Sequence, residues 1–181
     1  MSAMSPDHAT NGTNAHIYHG HSGYLAKVRW SLNGERIISS SGDTTVQVWN
    51  ALDGGDIYIY RGHTKDTTGV ALSPDGKYIV SGSFDKTAQV WNALDGSHVY
   101  TYRGHTKAVH TVAWSPDGEH IASGSSDGTV QIWSITGRGN TYVYRGHGST
   151  SVFTVEWSPD GKHIASGGTD TTVQVWQAPI S

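Results

Sequence analysis

Residues 98–133 read HVYTYRGHTKAVHTVAWSPDGEHIASGSSDGTVQIW. This stretch decides the fold. Val99–Arg103, rich in Tyr and Val, reads as a strand, and Val109–Trp114 as a second. Between that second strand and the next lies Ser115-Pro116-Asp117-Gly118. Pro presets φ there, Asp bonds locally, and Gly accepts a positive φ, so the segment is a turn. His120–Ser125 is a third strand, with small Ala122 and Gly124 where another backbone can come close. Ser126-Asp127-Gly128 turns the chain again. Thr129–Trp133 is the fourth strand, with Val130 and Ile132 on one face and Gln131 and Trp133 on the other. Four short strands joined by tight turns form an up-and-down antiparallel sheet, and nothing in the chain has a helical period.

Working outward, the same reading recurs. His21, His63, His105 and His147 each follow a Gly, at intervals of 42 residues. The first turn returns as Ser31-Leu32-Asn33-Gly34, Ser73-Pro74-Asp75-Gly76 and Ser158-Pro159-Asp160-Gly161. The last strand returns around Trp49, Trp91 and Trp176, and the fourth copy carries one extra residue in Gly148-Ser149-Thr150-Ser151. A fixed period of this length marks a repeat architecture. Each copy also places a His, a Ser, an Asp and a Trp at matched positions. They are His21, Ser39, Asp43 and Trp49; His63, Ser81, Asp85 and Trp91; His105, Ser123, Asp127 and Trp133; and His147, Ser166, Asp170 and Trp176.

The Gly-His pair, the turn Asp and the Trp, at these spacings over residues 15–176, resemble the WD-repeat β-propeller family. The strong likeness between copies suits a recently amplified bacterial-type repeat or an engineered one. The dipeptide that names the family ends in Asp, whereas here Trp is followed by Asn50, Asn92, Ser134 and Gln177. The resemblance implies an all-β propeller of four-stranded blades, four per chain, in one domain over residues 15–177. Residues 1–14 form a polar tail expected to be disordered, and 178–181 a short tail. The resemblance also implies that each matched set is a hydrogen-bonded chain from Trp through Ser and His to Asp. Ser, His and Asp can form a nucleophilic triad. A set copied into every repeat with a Trp attached instead points to structure, and no catalytic residue is expected. The four histidines fall in different blades, each with its own Asp, so no metal site and no cofactor are expected.

The phase of the repeat bears on assembly. Residues 15–19 align with the outer strand Ile57–Arg61, and the last copy stops at its third strand, so the N-terminal segment is expected to be the fourth strand of the final blade. The resembled family usually has seven or eight blades, and a blade shaped for eight closes a ring of four poorly. The expectation is a homodimer forming one eight-bladed ring. The alternatives are a four-bladed monomer, a larger assembly, or a fragment of a longer propeller.

Composition limits the function classes. The 181 residues include 23 Gly, seven Trp and nine Tyr, but no Cys, which excludes disulfide and thiol chemistry and fits a cytoplasmic setting. A net charge of −3 with dispersed Lys and Arg gives no footprint for nucleic acid, and no apolar run suggests a membrane span. The polar start lacks the apolar core of a secretory signal. Arg61, Arg103 and Arg145, with His19 in the first copy, follow an outer-strand Tyr and read as edge protection stacked on that ring, the alternative being a phosphate-binding ring.

Variation concentrates on the rim carrying the Gly-His and turn-Asp loops. Tyr24, Lys65, Asp66, Phe84, Lys107 and Ser149 are the candidate partner contacts, with Phe84 and Tyr24 as aromatic anchors. The expected function is a non-catalytic scaffold for an unidentified protein partner. The alternatives are a lectin-like or small-ligand propeller, and a structural repeat protein without a ligand.

Overall fold

The computed structural model describes residues 17–55, 58–137 and 141–179. The expected disordered tail, 1–14, lies outside the described residues, as do residues 15 and 16 of the N-terminal segment.

Blade 1 holds β1 (Leu25–Trp30), β2 (Arg36–Ser41), β3 (Val46–Asn50) and β4 (Tyr58–Tyr60). Blade 2 holds β5 (Thr67–Leu72), β6 (Tyr78–Ser83), β7 (Ala88–Asn92) and β8 (His98–Tyr102). Blade 3 holds β9 (Val109–Trp114), β10 (His120–Ser125), β11 (Val130–Ser134) and β12 (Tyr142–Tyr144). Blade 4 holds β13 (Val152–Trp157), β14 (His163–Gly168) and β15 (Val173–Gln177). Each sheet is antiparallel in chain order. Among the described residues the first three have four strands, and the last has three. The segment 17–19 forms no strand in the single chain, so the expected closure of the final blade is not made within one chain among the described residues.

A blade is apolar on both faces, because each strand alternates side chains between its two neighbours. Ile38, Val46 and Val48 of blade 1 pack on Val70, Ile79 and Trp91 of blade 2. Val80, Ala88 and Val90 of blade 2 meet Val112, Trp114 and Ile121 of blade 3. Ala122, Val130 and Ile132 of blade 3 meet Val152, Val155 and Ile164 of blade 4. Among the described residues there is no fourth cluster joining blade 4 to blade 1. The two end faces carry the same kind of residue but are open. Val28 is 48% exposed where its counterpart Val112 is 6% exposed, and Trp30 is 62% exposed where Trp114 is 8% exposed. At the other end Val175 is 67% exposed where Ile132 is 2% exposed.

The three buried interfaces are not identical. Leu72 stands where the other copies have Trp30, Trp114 and Trp157. A cavity of about 620 Å³ opens beside it between blades 1 and 2, bordered by Ile38, Val48 and Ile79. In the next two interfaces an indole packs at this place.

Candidate functional site

The matched sets sit at one end of each blade, where the Gly-His loop meets the turn between the second and third strands. His63 Nδ1 lies 2.8 Å from Asp85 Oδ2, and its Nε2 lies 2.8 Å from Ser81 Oγ. His21 spans Asp43 and Ser39 at 2.8 and 2.9 Å, and His105 spans Asp127 and Ser123 at 2.9 and 2.8 Å. His147 spans Asp170 and Ser166 at 2.6 and 2.8 Å. The indole end of the chain varies. Trp133 Nε1 donates to Ser123 Oγ at 3.0 Å and Trp176 Nε1 to Ser166 Oγ at 3.5 Å, whereas Trp91 Nε1 is buried with no acceptor among the described residues.

These sets reach further than four residues. Asp85 also accepts from Thr64 N, Thr87 N and Thr87 Oγ1. Gln89 Nε2 donates to Thr87 Oγ1, and Tyr60 Oη donates to Gln89 Oε1 at 2.6 Å. Tyr60 belongs to the outer strand of blade 1, so the network crosses from one blade to the next. The same Tyr ring stacks on Trp91 at 4.8 Å. Tyr18 on Trp49, Tyr102 on Trp133 and Tyr144 on Trp176 repeat the stack at 4.6, 4.5 and 4.2 Å. The Tyr faces are therefore taken by the following blade. Arg61, Arg103 and Arg145 are exposed, and among the described residues none stacks on its Tyr, which corrects the stacking part of that expectation.

The Gly of the Gly-His pair has a steric cause. A Cβ on Gly62 would lie 2.4 Å from Tyr60 Oη and 2.5 Å from Gln89 Oε1. Only glycine lets the loop pass over that bond.

Burial pushes the carboxyls of Asp43, Asp85 and Asp127 up, but hydrogen bonds from His and Thr outweigh it and hold all three far below their ordinary value. Asp170 is also held low against its own desolvation, by Thr172 and His147. The serine of each set already holds its histidine, and Ser81, Ser123 and Ser166 are buried. A nucleophile needs an accessible oxygen beside an oxyanion site, so the geometry is that of a strut. The histidines do not converge. Elsewhere Asp117, Glu119 and His120 bring ligand atoms within 4.8 Å of one another. Asp117 there is bonded to Ser115 Oγ and Glu119 N of its own turn.

The rim residues fall into two groups. Tyr24 Oη donates to Asp66 Oδ2 at 2.8 Å, linking blades 1 and 2, and this bond, then burial, raises the Tyr24 phenol above its ordinary value. Lys65, Lys107 and Ser149 are exposed. The first two contribute backbone carbonyls, to Ser83 Oγ at 3.0 Å and Ser125 Oγ at 3.2 Å. Phe84 has company that the sequence reading missed. His110 meets it edge-on at 5.3 Å, and Phe153 meets His110 at 4.6 Å. His110 Nε2 lies 2.6 Å from Ser126 Oγ, and burial lowers its pKa, which favours neutral imidazole.

This row has a backbone origin. In every blade the pairing of the first two strands slips by one residue. The skipped residues are Ala26, Thr68, His110 and Phe153. A bulge adds one unpaired residue and re-aims its side chain. Two copies use that position for a ring, and the turn before it supplies Phe84. The signal was the variation at this position, hidden because a bulge interrupts strand alternation.

The chain matches the family model of the WD domain, G-beta repeat, four times, at residues 12–50, 54–92, 96–134 and 139–177. It belongs to the WD40 repeat family. Members generally act as scaffolds for protein–protein interaction and are typically not catalysts. No curated protein matches this chain. Among the described residues no helix is long and apolar enough to cross a membrane.

Proposed function

We propose that this protein is a non-catalytic binding scaffold that holds a protein partner on the rim carrying the Gly-His and turn-Asp loops. The row Phe84–His110–Phe153 carries the reading. Phe84 and Phe153 are exposed apolar rings on that rim, and with His110 between them the row is held in place by three different blades. Rigid aromatic anchors ringed by polar groups are where binding energy concentrates. The partner supplies an apolar or aromatic side chain to this row, and Tyr24 and Asp66 border it. The cysteine-free sequence suits a reducing compartment, and we place the protein in the cytoplasm.

The working form is an eight-bladed ring of two copies. The open faces at Val28 and Trp30 and at Val173 and Val175 match, residue for residue, faces that are buried elsewhere in the chain. Burying each such side chain contributes roughly 1.5–3 kcal/mol.

The test is peptide display on the intact protein, followed by measurement on Phe84→Ala and Phe153→Ala. Binders are expected to lose at least tenfold in affinity on either variant while thermal unfolding stays unchanged. Binders indifferent to both changes, but sensitive to changes in the Ser-Pro-Asp-Gly turns, would move the site to the opposite rim.

A further inference from the structure

We infer that the cavity between blades 1 and 2 binds a small aromatic carboxylic acid, with the ring on its apolar floor and the carboxylate on Arg36. The site shares no residue with the Phe84–His110–Phe153 row and goes beyond the partner reading built on that row.

The sequence departs from its own repeat around this cavity. Trp30, Leu72, Trp114 and Trp157 hold one register position, opposite Ile37, Ile79, Ile121 and Ile164. Three copies carry an indole there and one carries a leucine. Trp114 fills its place in the core between blades 2 and 3. Trp157 packs against blade 3 and donates Nε1 to Ala113 O at 3.3 Å. Leu72 is too small to do the same, and a cavity of about 620 Å³ remains beside it. Two further departures line that cavity. Leu32 stands where the other turns have Pro74, Pro116 and Pro159. Arg36 stands where the other second strands begin with Tyr78, His120 and His163. Changes at three separate positions, drawn from two blades, thus face one space.

The floor is apolar and firm. Ile38 and Val48 come from blade 1, Leu72 and Ile79 from blade 2, and all but the half-buried Leu72 are buried. Leu32, exposed, borders the opening. The volume is in the range of small-ligand pockets, roughly 300–1,000 Å³. A flat ring laid on such a floor removes apolar surface from water on both sides of the contact.

The charges of the wall select the rest of the ligand. Glu35, Arg36, Asp75 and Lys77 line the cavity. Lys77 is paired with Asp75 at 3.1 Å. The turn Asp of the other copies is Asn33 in blade 1, and its Nδ2 donates to Glu35 Oε2 at 2.7 Å. Arg36 is half-buried, and among the described residues its guanidinium has no ion pair or hydrogen bond. A guanidinium presents a rigid fork of donors that matches a carboxylate. Ring and carboxylate therefore belong to one small molecule, with one site per chain, because the next two interfaces hold an indole at this place.

The experiment is isothermal titration calorimetry of the intact protein with three probes: indole-3-acetate, indole and acetate. The expected result is saturable binding of one indole-3-acetate per chain, weaker binding of indole, and none of acetate. Leu72→Trp installs the ring that three other copies carry. It is expected to weaken indole-3-acetate by at least about tenfold while the midpoint of thermal unfolding holds or rises. Arg36→Gln leaves the floor intact and tests the site without refilling it. It is expected to bring indole-3-acetate down to the affinity of indole and to leave indole itself unchanged. No saturable binding to the unaltered protein overturns the proposal. Undiminished binding to a folded Leu72→Trp variant also overturns it, since the ligand would then sit elsewhere. Equal effects of Arg36→Gln on both ring probes, or no effect on either, overturn the carboxylate contact. None of these outcomes bears on the Phe84→Ala and Phe153→Ala test, so the two sites fail separately.

Discussion

Val112 and Val28 occupy one place in the repeat and have opposite surroundings. Both project from the innermost strand of a blade toward the blade before, but only Val112 has that blade to pack on. The repeat specifies faces, and a neighbour decides whether a face becomes core. The largest expected effect follows. Val112→Asp puts an unpaired carboxylate between blades 2 and 3, a change of about 4 kcal/mol or more that unfolds the chain. Val28→Asp is expected to alter the stability of the lone chain by less than about 1 kcal/mol and to abolish pairing of copies. Urea unfolding followed by Trp fluorescence, at concentrations below and above association, measures both. Equal losses for the two variants in the single-chain regime would mean that Val28 has an internal partner, and the comparison would fail.

The hydrogen-bonded sets of blades 3 and 4 differ more subtly. Asp127 takes a backbone bond from Thr106 N at 3.0 Å. In blade 4 the extra loop residue redirects Gly148 N to Arg145 O at 3.1 Å, and the Asp170 carboxylate is more open, at 18% side-chain exposure against 7%. Both carboxyls sit below their ordinary value in the folded chain. The unfolded chain therefore binds protons more readily as the solution acidifies. The stability these groups confer is complete above about pH 5 and is lost as pH falls through and below the ordinary carboxylate value. Asp127→Asn should cost about 2 kcal/mol at neutral pH and flatten the acid limb of the stability curve. Asp170→Asn should cost less and flatten it less. Chemical denaturation repeated from pH 7 to pH 3 reads both. An unchanged acid limb in the Asp127 variant would show that other groups govern acid unfolding.

Legibility in the sequence followed what each copy repeats. The strand order and the turns at Ser115–Gly118 and its relatives were readable because each rests on a residue type recurring at one spacing, whereas the His–Asp and His–Ser contacts were implied only by the family resemblance. Three features were not. The Tyr–Gln–Thr extension crosses between blades, so no single strand's alternation shows it. The bulge places His110 and Phe153 beside Phe84, although strict alternation would separate them. The cavity beside Leu72 depends on which residue faces it across an interface.

The smallest expected effect concerns one turn position seen in four copies. Gly128 has φ of 82°, and its counterparts Thr44, Lys86 and Thr171 adopt 74°, 74° and 63°. A side chain in this left-handed region costs roughly 1–2 kcal/mol, most for a β-branched residue such as Thr. Blade 3 cannot accept one at all, since a Cβ on Gly128 would lie 2.1 Å from the carbonyl oxygen of Gly148 in the lengthened loop. Blade 1 lacks that loop, so its Thr is tolerated with strain. The turn is held by Thr44 N donating to Ser41 O at 3.2 Å, and Thr44 O accepts from Thr67 Oγ1 at 3.1 Å. Both are backbone atoms that a substitution retains. Thr44→Gly removes the strain and adds freedom to the unfolded chain, which offsets part of the gain. The net expectation is a stabilisation of about 0.5 kcal/mol, read as a rise in the midpoint of denaturation, while Gly128→Thr lowers the midpoint by a larger amount. A loss of stability in Thr44→Gly would show that the Thr44 side chain contributes more than its backbone strain costs.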